Sequence, residues 1–101
     1  MILIKTKDDL YNFNNVLRIY RSHTISDNET EIYLVSVMDN SNNVYWIFQS
    51  EIKEIRDNVY NEIQKQIIDL NTENNNGYID VEAIVKEVKE NYISIDRIFY
   101  S

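Results

Sequence analysis

The stretch Glu31–Gln49, EIYLVSVMDNSNNVYWIFQ, decides the fold. Two runs rich in branched and aromatic residues, Glu31–Asp39 and Val44–Gln49, flank Asn40-Ser41-Asn42-Asn43. Such runs suit a pleated backbone, and asparagine suits a turn because it tolerates the left-handed conformation and hydrogen-bonds its own backbone. The spacing predicts a β-hairpin over residues 31–49. In its first strand Ile32, Leu34 and Met38 point one way and Tyr33, Val35 and Val37 the other, so both faces are apolar. That pattern places the strand inside a sheet, either covered on both sides or covered on one and used for association on the other.

Downstream, Ser50 can cap a helix over residues 51–70, where Ile52, Ile55, Val59, Ile63, Ile67 and Leu70 recur at spacings of three and four. At about 1.5 Å per residue that helix runs roughly 30 Å, the width of a small domain. A second helix is expected from an Asp80 N-cap to Asn91, with Val81, Ile84, Val85 and Val88 inward and Glu82, Lys86, Glu87, Lys89 and Glu90 outward. Tyr92–Tyr100 alternates Ile93, Ile95 and Phe99 with Ser94 and Asp96, which reads as a last strand.

Upstream of the hairpin, residues 22–30 are polar and aperiodic and read as a loop. Before them a helix is expected over Lys7–Arg21, opened by Thr6 and Asp9 in a capping-box spacing and striped by Leu10, Phe13, Val16, Leu17 and Tyr20. Met1–Lys5 has strand character. The expected fold is α+β, in the order β-α-β-β-α-α-β, with a small antiparallel or mixed sheet and helices packed on one face. With 101 residues, 44% hydrophobic and 27% charged, the chain is expected to form a single globular domain over residues 1–101.

Composition narrows the chemistry. There is no cysteine and one histidine, so disulfides, thiolate zinc sites and cysteine nucleophiles drop out, as do constellations that need a second histidine or a thiol. His23 could serve as a general base with Asp27, but it sits in a polar stretch just past a helix end, and a solvent-facing or capping role is expected for it. One glycine in the chain rules out phosphate-cradling fingerprints. The N-terminus has neither the apolar core of a signal peptide nor a membrane span, so a cytoplasmic protein is expected, in the host cytoplasm if phage-encoded. Isoleucine, asparagine, tyrosine and lysine together make 44 of the 101 residues while alanine, glycine, proline and arginine are scarce, a bias much of which AT-rich codons explain.

One segment, DLNTENNNGYIDVEAI over residues 69–84, resembles part of an EF-hand. Such a loop needs oxygen ligands at positions 1, 3, 5 and 12, glycine at 6 and a branched residue at 8. With Gly77 at position 6, Asn74, Asn76 and Ile79 fit, but Thr72 and Ala83 stand where the two key carboxylates belong. Starting at Asp69 restores Asp80 at position 12 and loses the glycine and the apolar residue. Neither frame is a calcium loop. The segment is expected to be a junction with Gly77 left-handed and Asp80 starting a helix, and no metal or cofactor is expected anywhere in the chain.

Charge and aromatic residues remain. Net charge is −7, and residues 26–83 hold twelve acidic against three basic groups. This sign repels phosphate backbones and anionic membranes and favours a protein partner with a basic surface, for instance a nucleic-acid-binding protein. If Asp27, Glu29 and Glu31 lie on extended backbone, alternation puts all three carboxylates on one side. Tyr33, Tyr45 and Trp46 on the hairpin are of the residue types that dominate binding hot spots. Asp27, Glu29, Glu31, Tyr33, Tyr45 and Trp46 are therefore the candidate partner-binding residues, and no catalytic residue is nominated.

The expected function is a small acidic protein-binding module that inhibits or regulates its partner, not an enzyme. In size and charge, and in no motif, the chain looks like phage and mobile-element inhibitors of host nucleic-acid enzymes, such as anti-CRISPR proteins, and like toxin-immunity proteins. The alternative is a structural or assembly protein forming a homo-oligomer through the hairpin 31–49 or the helix 51–70.

Overall fold

The computed structural model describes residues 2–73 and 76–100, with side chains through Thr72 and from Asn76 to Tyr92. The elements in chain order are β1 (Ile2–Lys5), β2 (Leu10–Asn12), a 3₁₀ turn (Phe13–Asn15), β3 (Val16–Ile25), β4 (Glu31–Asp39), β5 (Val44–Ser50), α1 (Lys53–Glu73), β6 (Gly77–Asp80) and α2 (Val81–Tyr100). They build an α+β fold with two three-stranded sheets, ordered β2-β1-β6 and β3-β4-β5.

The hairpin forms as expected, with β4 antiparallel to β5 and central in its sheet. Asp39 closes the turn: its Oδ1 accepts the backbone N–H groups of Ser41 and Asn43, each at 2.9 Å. The turn also uses Asn42 at φ 66°, the left-handed conformation asparagine tolerates. The long helix follows, opened by Ile52, whose N–H donates to Ser50 Oγ at 3.0 Å. Ile55, Val59, Ile63 and Ile67 are buried along one face of α1, and only Ile52 of the expected stripe is exposed. α1 lies on one face of the β3–β4–β5 sheet, and α2 packs beside α1 and against β1. A single apolar cluster joins both sheets and both helices.

Two segments expected as one element form the other. Lys7–Arg21 is not helical: it holds β2, the 3₁₀ turn and the start of β3. The predicted Thr6 hydrogen bond is present, with Asp9 N–H donating to Thr6 Oγ1 at 3.1 Å, but it closes the turn of a β1–β2 hairpin. Asparagine explains the rest. Asn12 Oδ1 accepts from Asn14 N–H at 2.9 Å, a local bond that competes with the helical ladder. Val16–Ile25, rich in β-formers, then pairs with β4 and places Ile19 opposite Val37 in the core, while Leu10 and Leu17 of the supposed stripe are exposed.

At the other end, Tyr92–Tyr100 continues α2 in place of the expected strand. The chain between Asn91 and Ser101 has no glycine or proline to stop a helix already capped at Asp80, whose Oδ1 accepts Ala83 N–H at 3.2 Å. Tyr92, Ile95 and Phe99 also fall at spacings of three and four, so their pattern suits either element. The alternation of Ile93, Ile95 and Phe99 lies outside the described side chains.

The segment 69–84 is indeed a junction. Asp69, Asn71 and Thr72 belong to α1, which extends to Glu73, and Asn74 lies outside the described residues. Gly77, at φ +148°, opens β6, a strand that periodicity did not predict, and a Cβ there would stand 2.7 Å from Leu70 Cδ2. β6 pairs parallel to β1 and sets Ile79 beside Ile4, both fully buried.

Candidate functional site

The hairpin carries an irregularity that sorts its aromatic residues. Val35 pairs with Phe48 but Ser36 pairs with Trp46, so Ile47 is the extra residue of a β-bulge. Neighbours on β4 face opposite sides of the sheet, and their partners on β5 do likewise. Phe48 therefore lies with Val35 on the helix-covered face, 9% exposed, while Trp46 lies with Ser36 on the opposite face, 58% exposed.

That opposite face mixes apolar side chains with Arg18, Ser22, Thr24, Ser36 and Gln49, and has no helix over it among the described residues. Pairing brings Tyr20, Leu34, Ser36, Met38, Val44 and Trp46 to it. Val44 is 54% exposed, while Tyr20, Leu34 and Met38 are half-buried by one another's neighbours within the sheet. Arg18 stacks its guanidinium 4.1 Å from the Tyr20 ring centroid. In the middle, Ser22 and Ser36 hydroxyls bond each other at 2.8 Å, which satisfies the buried Ser36 without a charge. Of the two arrangements expected for the hairpin's first strand, cover on both sides is not seen among the described residues: α1 lies on one face and the other is open.

The acidic candidates do not form a row. Residues 26–30 make a tight turn in which Ser26 N–H donates to Thr30 O and Glu29 N–H to Ser26 O, both at 2.9 Å. Ser26 Oγ also donates to Asn28 Oδ1, and Glu29 is left-handed at φ 64°. Backbone so folded cannot alternate its side chains, so Asp27 and Glu29 are exposed at the turn while Glu31 stands on β4. The remainder of the expected loop, residues 22–25, is strand β3, and His23 is exposed there opposite Tyr33.

Glu31 and Tyr33 do meet, on the helix side. Tyr33 Oη donates to Glu31 Oε2 at 2.8 Å, and this bond, with burial and the negative charge, raises the Tyr33 phenol pKa. Arg56 lies beneath the Tyr33 ring at 5.3 Å, only 6% exposed. It donates through one nitrogen to the carbonyls of Ser22 (2.6 Å) and Leu34 (3.3 Å) and through Nε to Asp57 at 2.8 Å. A buried guanidinium with these partners ties the first turn of α1 to β3 and β4.

Tyr45 lies apart from Trp46. It pairs with Val37 on the covered face and stands 6.0 Å from the Tyr11 ring. Tyr45 also bonds Asp39, whose carboxyl is held below its ordinary pKa, chiefly by the Asn43 N–H, with Asn43, Ser41 and Tyr45 bonds outweighing desolvation.

The six candidates thus fall into three places: Trp46 on the open face, Asp27 and Glu29 on the turn, and Glu31, Tyr33 and Tyr45 on the covered side. Pattern reading did not nominate Tyr20, Val44 or Arg18. The alternation Arg18, Tyr20, Ser22, Thr24 carries the signal, once those residues are read as strand. Comparison with protein-family models, with curated proteins and with solved structures finds no match. Among the described residues no group of three or more His, Cys, Asp or Glu is placed to hold a metal ion, and no helix is long and apolar enough to cross a membrane.

Proposed function

We propose that this chain is a protein-binding module that docks through the open face of the β3–β4–β5 sheet, with Trp46 as its anchor. Asp27 and Glu29 at the β3–β4 turn meet basic groups of the partner beyond that face, and docking inhibits or regulates the partner. The observation that carries the reading is the exposure of Trp46, 58%, in a sheet whose other face supplies Ile19, Val35, Val37 and Phe48 to the core. Tryptophan offers a large rigid contact with little entropy to lose, and residues of this kind exposed on a surface mark interaction sites. The net charge of −7 supports a basic partner. An inhibitor of a nucleic-acid enzyme, phage-encoded and acting in the host cytoplasm, is the specific form that size and charge support.

The test is affinity capture at low and high salt, with the wild type beside Trp46→Ala and beside a variant reversed at Asp27 and Glu29. A basic partner lost as salt rises, and lost in both variants, supports the reading. Capture that ignores both variants would sink it. Self-association through the hairpin is the second reading, favoured by the same open face. Sedimentation of the pure protein separates the two, because only the second predicts a dimer with no partner added.

A further inference from the structure

We infer that the free edge of β5 receives an extended segment of the partner as an added strand. The inference rests on the protein-binding reading above and names how the partner engages. β5 is an edge strand: among the described residues its side away from β4 has no strand beside it. Its backbone N–H and C=O groups on that side form a template for another chain. Natural edges are usually blunted by lysine, proline or inward-pointing charge, and Val44–Ser50 contains none of these. Residues 40–50 form the longest run in the chain without Asp, Glu, Lys or Arg. The bulge at Ile47 divides the edge without covering it.

Space is available beside this edge. A groove of 680 Å³ runs between Val44–Ile47 and the β1–β2 turn, and a second of 340 Å³ continues past Phe48 toward the start of α2 at Val81 and Val85. A strand takes roughly 160 Å³ per residue, from its rise of about 3.3 Å, spacing of about 4.8 Å and layer depth of about 10 Å. The first groove therefore holds about four extended residues. Asp8 and Asp9 face β5 across it and outweigh Lys7 on that wall, so the segment presents a lysine or arginine there. Main-chain bonds supply affinity in this mode and alternate side chains supply specificity.

The probe is a displayed library of random nine-residue peptides selected on the immobilised full chain, followed by amide exchange of the chain with a selected synthetic peptide. The expected result is peptides with apolar residues at alternate positions and a terminal Lys or Arg. Binding should slow exchange of β5 amides at least tenfold, and Asp8→Lys should weaken it about tenfold while leaving the melting temperature unchanged. Selected peptides that leave β5 exchange unaltered overturn the inference, as does a library yielding none while the chain still captures a partner through Trp46. Strand-like peptides bound at β5 by a chain that captures no basic partner would instead overturn the proposed function and leave the edge site standing.

Discussion

Trp46 and Phe48 stand two residues apart on one strand and face opposite sides of the sheet. Ile47 between them is bulged, pairing Trp46 with Ser36 and Phe48 with Val35. In a regular strand the two rings would share a face. The bulge buries Ile47 and Phe48, each 9% exposed, and turns the indole outward.

The two rings should therefore respond differently to truncation. Phe48→Ala removes core contacts and should cost about 3–5 kcal/mol in urea unfolding. Trp46→Ala should cost about 1 kcal/mol or less, as surface changes do, yet weaken partner binding by about 2 kcal/mol or more, roughly thirtyfold in Kd. Equal stability losses would mean that the indole is part of the core.

Gly77 should not tolerate a side chain. Gly77→Ala places a Cβ 2.7 Å from Leu70 Cδ2 and imposes φ +148° on an L residue. A loss of about 1–3 kcal/mol is expected from thermal unfolding. Adding Leu70→Ala relieves the contact but not the backbone strain, so the double variant should not recover wild-type stability.

How much of this is legible in the chain depends on whether local pattern and long-range pairing agree. For residues 31–70 they agree: alternation with both faces apolar, a polar turn and a stripe from Ile55 to Ile67 each admit one element. For Lys7–Arg21 they conflict. Leu10, Phe13, Leu17 and Tyr20 keep helical spacing, but three asparagines and the pairing of Ile19 with Val37 decide for strand, and that pairing is made across residues distant in sequence. The four residues of β6 are too short to show a period at all. In the site, exposure of Trp46 depends on one extra residue in β5, which no periodicity reports. The row of Asp27, Glu29 and Glu31 fails for a local reason, the turn made by Ser26, Asn28 and Thr30.

Arg56 should behave as a buried tie rather than a surface charge. Arg56→Met leaves the Ser22 and Leu34 carbonyls without their guanidinium donor and should cost about 1–3 kcal/mol. Arg56→Lys should restore little of it, since one ammonium lacks the planar fork that reaches both carbonyls and Asp57. Full rescue by lysine would assign the effect to charge alone.

Acid should loosen the hairpin through Asp39. Its folded pKa is depressed, so its contribution is present above the unfolded value and is lost as pH falls through the folded one, below the ordinary aspartate range. Melting temperature measured from pH 6 to pH 2.5 should fall less steeply for Asp39→Asn than for the wild type. Parallel curves would remove Asp39 from the acid response.

Calcium should have no effect. With Asp69–Glu73 helical and Ile79 in the core, residues 69–84 do not form a twelve-residue cation loop. Millimolar calcium should shift the melting temperature by less than about 1 °C, and a larger rise would reveal a site by mass action.

The most direct measurement of the central claim is capture of a partner by wild type and Trp46→Ala, side by side, at about 50 and 500 mM salt. The account predicts a basic protein held by the wild type at low salt, released at high salt and not held by the variant. Equal capture by both proteins at both salt concentrations, or a pure protein that dimerises and holds nothing else, would contradict it.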